Sequence, residues 1–143
     1  MWNGYSGLFQ SLKRVTVKAY RRIFSRRSDS GLTTSEVFGL YIIDLLDGPT
    51  IKDFAGYMGI SQPNATYKIN ALVEKGYVDK VVSDTDRREC HLFTTKKCKK
   101  LLKGDSRDVE EIEAALKARF TDAQLEQAKE VFDAVLEVLE ESE

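Results

Sequence analysis

The stretch of sequence that decides the fold is IKDFAGYMGISQPNATYKINALVEKGYV, residues 51–78. Its first part predicts a short helix that begins after Thr50 and ends at Gly59, because glycine adopts the left-handed conformation that closes a helix. Ser61 is the predicted N-cap of a second helix, which has a proline in its first turn and stops at Gly76. Two short helices joined by so tight a turn are typical of a helix-turn-helix.

Immediately after this motif the sequence period changes from helical to alternating. Residues 77–83 (YVDKVVS) and 89–95 (ECHLFTT) are rich in β-branched and aromatic side chains, and the polar stretch 84–88 separates them. This pattern predicts a β-hairpin with a charged tip. The element order is that of a winged helix-turn-helix, and it is more specific than a helix-turn-helix pattern alone.

Amphipathic helices are predicted on both sides of this lobe. Thr33 and Thr121 are each followed three residues later by Glu or Gln, which is the spacing of a capping box at a helix start. The sequence leaves open whether Gly104 kinks or breaks the helix that follows the hairpin. The helices are predicted over residues 5–27, from Thr33 to the stop at 47–49, over 95–103 and 107–120, and from Thr121 onward.

The predicted fold class is mainly α with a small β-hairpin wing. A winged helix-turn-helix lobe is expected to carry N- and C-terminal dimerisation helices. The predicted segments are an N-terminal dimerisation helix at 1–30, a DNA-binding lobe at 31–98 and C-terminal dimerisation helices at 99–143.

Charge is distributed unevenly along the chain. Residues 1–103 carry 18 Lys and Arg against 10 Asp and Glu, whereas residues 104–143 carry 4 against 13. The net charges of +8 and −9 are nearly hidden in the overall value of −1. Such asymmetry indicates that one surface faces a polyanion, although solvated charge runs are the commoner explanation of any single cluster.

The outward arc of the predicted recognition helix is polar and small. Asn and Gln can pair with the adenine edge through two hydrogen bonds, Lys can reach guanine or phosphate, and hydroxyls can bind phosphate oxygens. An ordinary solvated face is the alternative, but such faces normally collect Lys and Glu. The candidate DNA-contacting residues here are Ser61, Gln62, Pro63, Asn64, Tyr67 and Lys68, with Asn70 and Ala71 on the same arc.

Asp86, Arg87 and Arg88 form a charged group at the predicted hairpin tip. The carboxylate can steer one guanidinium while the other enters the minor groove, where the negative potential is greatest. A turn made soluble by charge is the alternative. Lysines also begin the next helix, where they oppose the helix dipole and so indicate an external anion such as phosphate. They are Lys96, Lys97, Lys99 and Lys100.

Other function classes find little support. No apolar run is long enough to span a membrane and no leader is evident, so we expect a cytoplasmic chain. Two cysteines and one histidine are too few for a disulfide framework or a zinc cage, and no metal or cofactor is expected. An enzyme would have to use Cys90 or Cys98 with His91, or the acids Glu110, Glu111 and Glu113. Neither set is convincing, because adjacent strand residues such as Cys90 and His91 point to opposite faces and the three acids lie at a helix start, where the helix dipole favours them.

From Leu32 to about Thr95 the chain resembles MarR-family transcriptional regulators. GLTTSE, the helix-turn-helix quoted above, SDTDRRECHLFTT and FTDAQLEQAKEVFDAVLEVL carry the resemblance. It implies an obligate dimer of winged lobes on a pseudopalindromic operator. It also implies recognition-helix roles for residues 61–64, 67 and 68 and a wing role for residues 86–88. Lys68, Ser83 and Thr94 depart from the family's usual residue types.

Two apolar stripes indicate self-association. They lie in the first and last predicted helices, and packing of one on the other within a chain is the alternative. The resemblance also implies an effector crevice, for which Tyr20, Phe38, Tyr41 and Phe120 are candidates, although such aromatics more often belong to a core. The candidate dimer residues are Leu8, Leu12, Val15, Leu125, Phe132, Val135 and Leu139.

The sequence therefore predicts a homodimeric, sequence-specific regulator that binds a double-stranded DNA operator, as a ligand-responsive repressor and not as an enzyme. A helical protein–protein interaction module without specific DNA binding is the alternative hypothesis. The operator, the regulated genes and the effector are not predicted by the sequence.

Overall fold

The computed structural model describes the backbone of residues 4–25 and 30–142, and the side chains of 7–25, 30–103 and 107–142. The last two positions of the helix predicted over 5–27 lie outside the described residues. The elements in chain order are α1 Gly4–Ser25, α2 Thr34–Leu46, α3 Ile51–Met58, α4 Gln62–Glu74, β1 Val78–Val82, β2 Cys90–Thr94, α5 Lys96–Arg119 and α6 Asp122–Glu141. The predicted fold class is confirmed.

The helix boundaries follow local capping chemistry. The hydroxyls of Thr33, Thr50 and Thr121 each accept the backbone N–H three residues on, and each threonine N–H donates back to the side chain at that position. These reciprocal bonds satisfy N–H groups that have no partner inside a helix. Ser61 caps α4 in the same way on its acceptor side. Gly59 ends α3 with a φ of 67°, in the left-handed region that favours glycine.

The apolar faces of α2, α3 and α4 pack with the hairpin and the start of α5 into one hydrophobic core. Phe54 lies at its centre, fully buried, and its ring lies 3.3 Å from where a Cβ on Gly39 would stand. The close approach of α2 to α3 therefore depends on the absence of a side chain at that glycine. The buried residues are Leu32, Val37, Leu40, Ile42, Ile43, Phe54, Ala55, Ala65, Ile69, Leu72, Tyr77, Val78, Leu92, Cys98 and Leu102.

The hairpin is antiparallel, with Val78 paired to Thr94 and Val82 paired to Cys90. The segment between α2 and α3 adds a rudimentary third strand, because the Leu92 amide donates to the Pro49 carbonyl over 2.8 Å. His91 extends this connection, since its Nδ1 lies 2.7 Å from the carbonyl oxygen of Gly48. The root of the hairpin is thus held to the end of α2.

Contacts divide the chain into two compact units, Met1–Leu102 and Lys103–Glu143. The backbone is helical through residues 104–106, so α5 is not broken at Gly104. A single glycine in a helix costs about 1 kcal/mol relative to alanine, which good helix formers on either side can offset. In the second unit, no described residue of α6 is buried.

Candidate nucleic-acid interface

The recognition helix α4 is held against the core by one side and is exposed on the other. Its apolar positions Ala65, Ile69 and Leu72 are buried, and spacing of about 100° per residue then turns Tyr67 directly outward. Tyr67 is 77% exposed, and its hydroxyl has no hydrogen-bond partner among the described side chains. The exposed members of the predicted set are Ser61, Gln62, Pro63, Asn64 and Tyr67, while Lys68 is half-buried.

Two contacts on the flanks of α4 were not predicted. Lys68 Nζ donates to Ser35 Oγ over 2.8 Å, which ties α4 to the first turn of α2. On the other flank, Lys80 Nζ of β1 donates to Asn70 Oδ1. No local sequence signal could reveal these pairs, because the partners belong to different elements and meet only after folding.

A third lysine, at the C-terminal end of α4, links this helix to α2. Lys75 Nζ lies 2.7 Å from Glu36 Oε2, in the capping box of α2. Burial alone would raise the pKa of Glu36, but the hydrogen bonds from Lys75 and Thr33 outweigh it and the pKa is lowered. Lys75 therefore forms an ion pair with a carboxylate, whereas Lys68 and Lys80 form hydrogen bonds to uncharged oxygens.

The wing tip is a tight turn whose backbone is organised by its own side chains. Asp86 Oδ1 accepts the Arg88 amide over 2.9 Å, and Ser83 Oγ accepts the amides of Thr85 and Asp86. The Asp86 carboxylate thus fixes the turn by accepting a backbone amide. The sequence predicts instead that it steers an arginine side chain, and that prediction is wrong. Arg87 and Arg88 are exposed, and neither guanidinium has an ion-pair partner within the part of the chain that the structure describes.

The lysines that begin α5 have different roles. Lys97 Nζ donates to the Lys75 carbonyl at the end of α4 over 2.8 Å and lies 4.5 Å from the centroid of the Tyr77 ring. A cation at a helix C-terminus is favourable, so the structure supplies Lys97 with an internal partner where the sequence indicated an external anion. Lys96, Lys99 and Lys100 are exposed.

A cavity of about 400 Å³ lies between α1 and the helices α2 and α3. Tyr20 of α1 contacts Phe38 of α2 with ring centroids 6.0 Å apart. Three of the four aromatic residues predicted for an effector site line this cavity, and Phe120 belongs to the second unit. The lining residues are Val15, Thr16, Ala19, Tyr20, Ile23, Phe38, Tyr41, Ile42, Leu45 and Tyr57.

The cysteines are not arranged for metal binding or for nucleophilic chemistry. Cys98 is fully buried, and burial raises the pKa of its thiol to about 12, which keeps it protonated at neutral pH. Cys90 is half-buried at the end of the hairpin. Across the described ranges, no group of three or more His, Cys, Asp or Glu side chains could hold a metal ion. No described helix is long and apolar enough to cross a bilayer.

Comparison with protein families matches residues 32–90 to the model of the MarR family. The match covers the helix-turn-helix and most of the wing, and it confirms the resemblance inferred from the sequence motifs. MarR-family proteins are transcription regulators. No curated protein matches the chain.

Solved structures share the fold over nearly the whole chain. FabT of Streptococcus pneumoniae, solved in complex with DNA, is 18% identical with a TM-score of 0.69, covering 97% of this chain and 99% of its own. The MepR–DNA complex of S. aureus is 21% identical with a TM-score of 0.57, covering 96% and 99%. A MarR transcriptional regulator of Methanosarcina mazei is 21% identical with a TM-score of 0.60, covering 92% and 95%.

Proposed function

We propose that this protein is a transcription regulator that binds double-stranded DNA sequence-specifically. The premise is that residues 32–90 form a MarR-family domain. The observation that carries the proposal is the outer face of α4, where Gln62, Asn64 and Tyr67 are exposed without side-chain partners among the described residues. The wing follows in the same lobe, and its exposed Arg87 and Arg88 have no ion-pair partner among the described side chains. That similar folds have been solved with DNA supports this proposal.

The two parts of the interface contribute differently. Side chains of Gln62 and Asn64, near the N-terminus of α4, offer both donors and acceptors to base edges in the major groove. The wing offers guanidinium groups, which suit the narrow and strongly negative minor groove. We therefore assign base preference mainly to α4 and general affinity mainly to the arginines of the wing.

We further propose that the protein binds as a homodimer. Val15 of α1 is 64% exposed and Phe132 of α6 is 53% exposed, which is unusual for apolar side chains with no partner to cover them. Leu8 and Leu139 are exposed in the same helices, while Leu125 and Val135 are half-buried. The apolar stripes of segments 1–30 and 99–143 would supply the interface, and their charged faces would lie outside it. Two recognition helices about 34 Å apart would then address half-sites one DNA turn apart.

Regulation by a small molecule is the finer part of the proposal. The cavity beside α1 has an apolar, aromatic lining that suits a compact hydrophobic compound, and α3, the first helix of the helix-turn-helix, contributes Tyr57 to it. An occupant would bias the position of α3 and hence of the recognition helix. We propose that it releases the protein from DNA, which makes the protein a repressor. Since chromosomal DNA is the proposed partner, we place the protein in the cytoplasm.

The DNA-binding proposal is tested by selection from genomic fragments. Purified protein is mixed with the fragments at about 0.15 M salt, and the retained DNA is sequenced. We expect enrichment of one pseudopalindromic sequence and a complex of two chains per site. An interaction module without DNA specificity would retain no fragment above background, and that result would refute the proposal.

The cavity is tested by filling it. Ala19→Leu adds bulk inside the lining, whereas Ala114→Leu adds the same bulk at an exposed position of α5. A panel of small phenols is titrated into the protein–operator complex, and release of DNA is measured. We expect Ala19→Leu to weaken the response and Ala114→Leu to leave it unchanged. Equal responses in both variants would place any effector elsewhere.

A further inference from the structure

The flanks of α4 carry two lysines that are held by neutral partners. Lys80 of β1 donates to Asn70 Oδ1 on one flank, and Lys68 donates to Ser35 Oγ on the other. Asn70 follows Tyr67 by three residues and Lys68 follows it by one, so the two side chains lie on opposite sides of the outward direction. Neither of these hydrogen-bond partners carries a negative charge that would offset the charge of the lysine.

These contacts determine which donors and acceptors of Asn70 and Ser35 remain available to DNA. Lys80 occupies one of the two acceptor positions of Asn70 Oδ1, so the Asn70 amide offers two N–H donors and one remaining acceptor position, a balance that favours an acceptor such as a phosphate oxygen. The Ser35 hydroxyl accepts from Lys68 and so has its own O–H free to donate. Both flanks therefore present donors and positive charge, which is the complement of a phosphate oxygen and not of a mixed base edge.

The dimensions of the groove agree with this chemistry. The major groove is about 12 Å wide and an α-helix with its side chains is about 10–12 Å across, so the flanks of an inserted helix face the sugar–phosphate walls. Side chains in the N-terminal turn of α4, such as Gln62 and Asn64, and those near the outward direction, such as Tyr67, face the floor of the groove.

We propose that the Lys80–Asn70 and Lys68–Ser35 pairs contact DNA phosphates, one pair on each strand bordering the major groove. This rests on the proposed DNA-binding function and deepens it. Ser35 and Lys80 become DNA-contacting residues that local sequence patterns did not reveal, and Asn70, which the sequence places on the outward arc, becomes a contact to the backbone. Lys68 becomes a contact to the backbone instead of a base-reading residue.

The experiment measures binding of the full-length protein to its selected operator and to a random-sequence duplex between 0.05 and about 0.4 M salt. The variants are Lys80→Met and Lys68→Met. Lys117→Met is the matched control, because it makes the same substitution at a lysine outside the winged helix-turn-helix lobe. Lys117 forms an ion pair with Glu113 in the acidic part of the chain, residues 104–143. Circular dichroism of each variant establishes that the helices are retained. Lys80→Arg keeps the charge and the donors.

Each lysine variant should weaken binding to both duplexes by the same factor and leave base preference unchanged. A phosphate contact contributes about 0.9 to the slope of log K against log salt, which amounts to a factor of about 8 in affinity between 1 M and 0.1 M salt. A dimer should therefore lose about 1.8 from its slope. Lys80→Arg should bind like the wild type, and Lys117→Met should keep the wild-type slope.

Two results would overturn the proposal. One is a changed preference at a single base pair with random-sequence binding intact, which would make the flank residues base readers. The other is an unchanged salt slope in both lysine variants. Failure of the wild type to bind any DNA would instead refute the proposed function itself, so the two failures are distinguishable.

Discussion

Replacing Gly48 by alanine should destabilise the lobe in two separable ways. Gly48 has a φ of 88°, and a side chain in the left-handed region costs about 1–2 kcal/mol. A Cβ there would also stand 3.0 Å from two ring carbons of Phe93. Phe93 is 40% exposed, so its ring can shift, at a cost of about 0.5–1.5 kcal/mol for leaving its rotamer minimum. We expect Gly48→Ala to lower the free energy of unfolding by about 1.5–3.5 kcal/mol.

Gly59→Ala provides the matched control. Gly59 has a φ of 67°, but no atom beyond its chain neighbours lies within 4 Å of the position its Cβ would take, so only the backbone cost of about 1–2 kcal/mol applies. Urea unfolding followed by circular dichroism gives both values. In a Phe93→Ala background the penalty at Gly48 should shrink to that at Gly59. Equal penalties for the two glycines in the wild-type background would contradict the assignment of a steric contact.

Three other perturbations follow from the interface and from the shifted pKa values. Arg88→Ala should weaken binding to operator and random DNA alike, whereas Asn64→Ala should relax preference at one base pair by about 1–3 kcal/mol; gel shifts on a set of single-base operator variants distinguish the two. The pKa of Glu36 is lowered on folding from its ordinary value of 4.5, so its stabilising contribution is full above that pH and is lost as pH falls below it. Glu36→Gln should therefore be less stable at pH 7 and lose less stability on acidification, which urea unfolding at pH 7 and about 3.5 measures; parallel pH profiles would contradict the linkage. Because burial raises the pKa of Cys98 to about 12, iodoacetamide at pH 8 should alkylate Cys90 and leave Cys98 unmodified in the native protein, as peptide mass spectrometry would show; rapid loss of both thiols would contradict the burial.

Elements with a strong local signal were predicted well. The Thr33 and Thr121 capping boxes, the tight turn at Gly59 and the hairpin all depend on residues within a few positions of one another. The MarR-family match, residues 32–90, contains all of these signals except the Thr121 capping box and the end of the hairpin, which is why the fold class could be inferred from one sequence. The continuity of α5 through residues 104–106 was left open, because a glycine's cost is comparable to the helix propensity around it.

Contacts between distant segments were beyond sequence reasoning. The partner of Lys80 depends on how β1 packs beside α4, and that of Lys97 depends on where the end of α4 lies. Asp86 illustrates the same limit at short range. Its carboxylate had two possible partners, an arginine side chain or the Arg88 amide, and the turn geometry selects the amide. The roles of the DNA-contacting and dimer residues stay predictions.

The attachment of the hairpin to the end of α2 has a mechanical consequence. α2 supplies Phe38 and Tyr41 to the wall of the cavity, and just beyond its last turn the Gly48 and Pro49 carbonyls bind the second strand. These hydrogen bonds are short, at 2.7 and 2.8 Å, so the end of α2 and the second strand cannot separate far without breaking them. If a ligand in the cavity tilted α2, the hairpin would therefore move with the helix. This movement would need neither unfolding nor changes in side chains between the two elements.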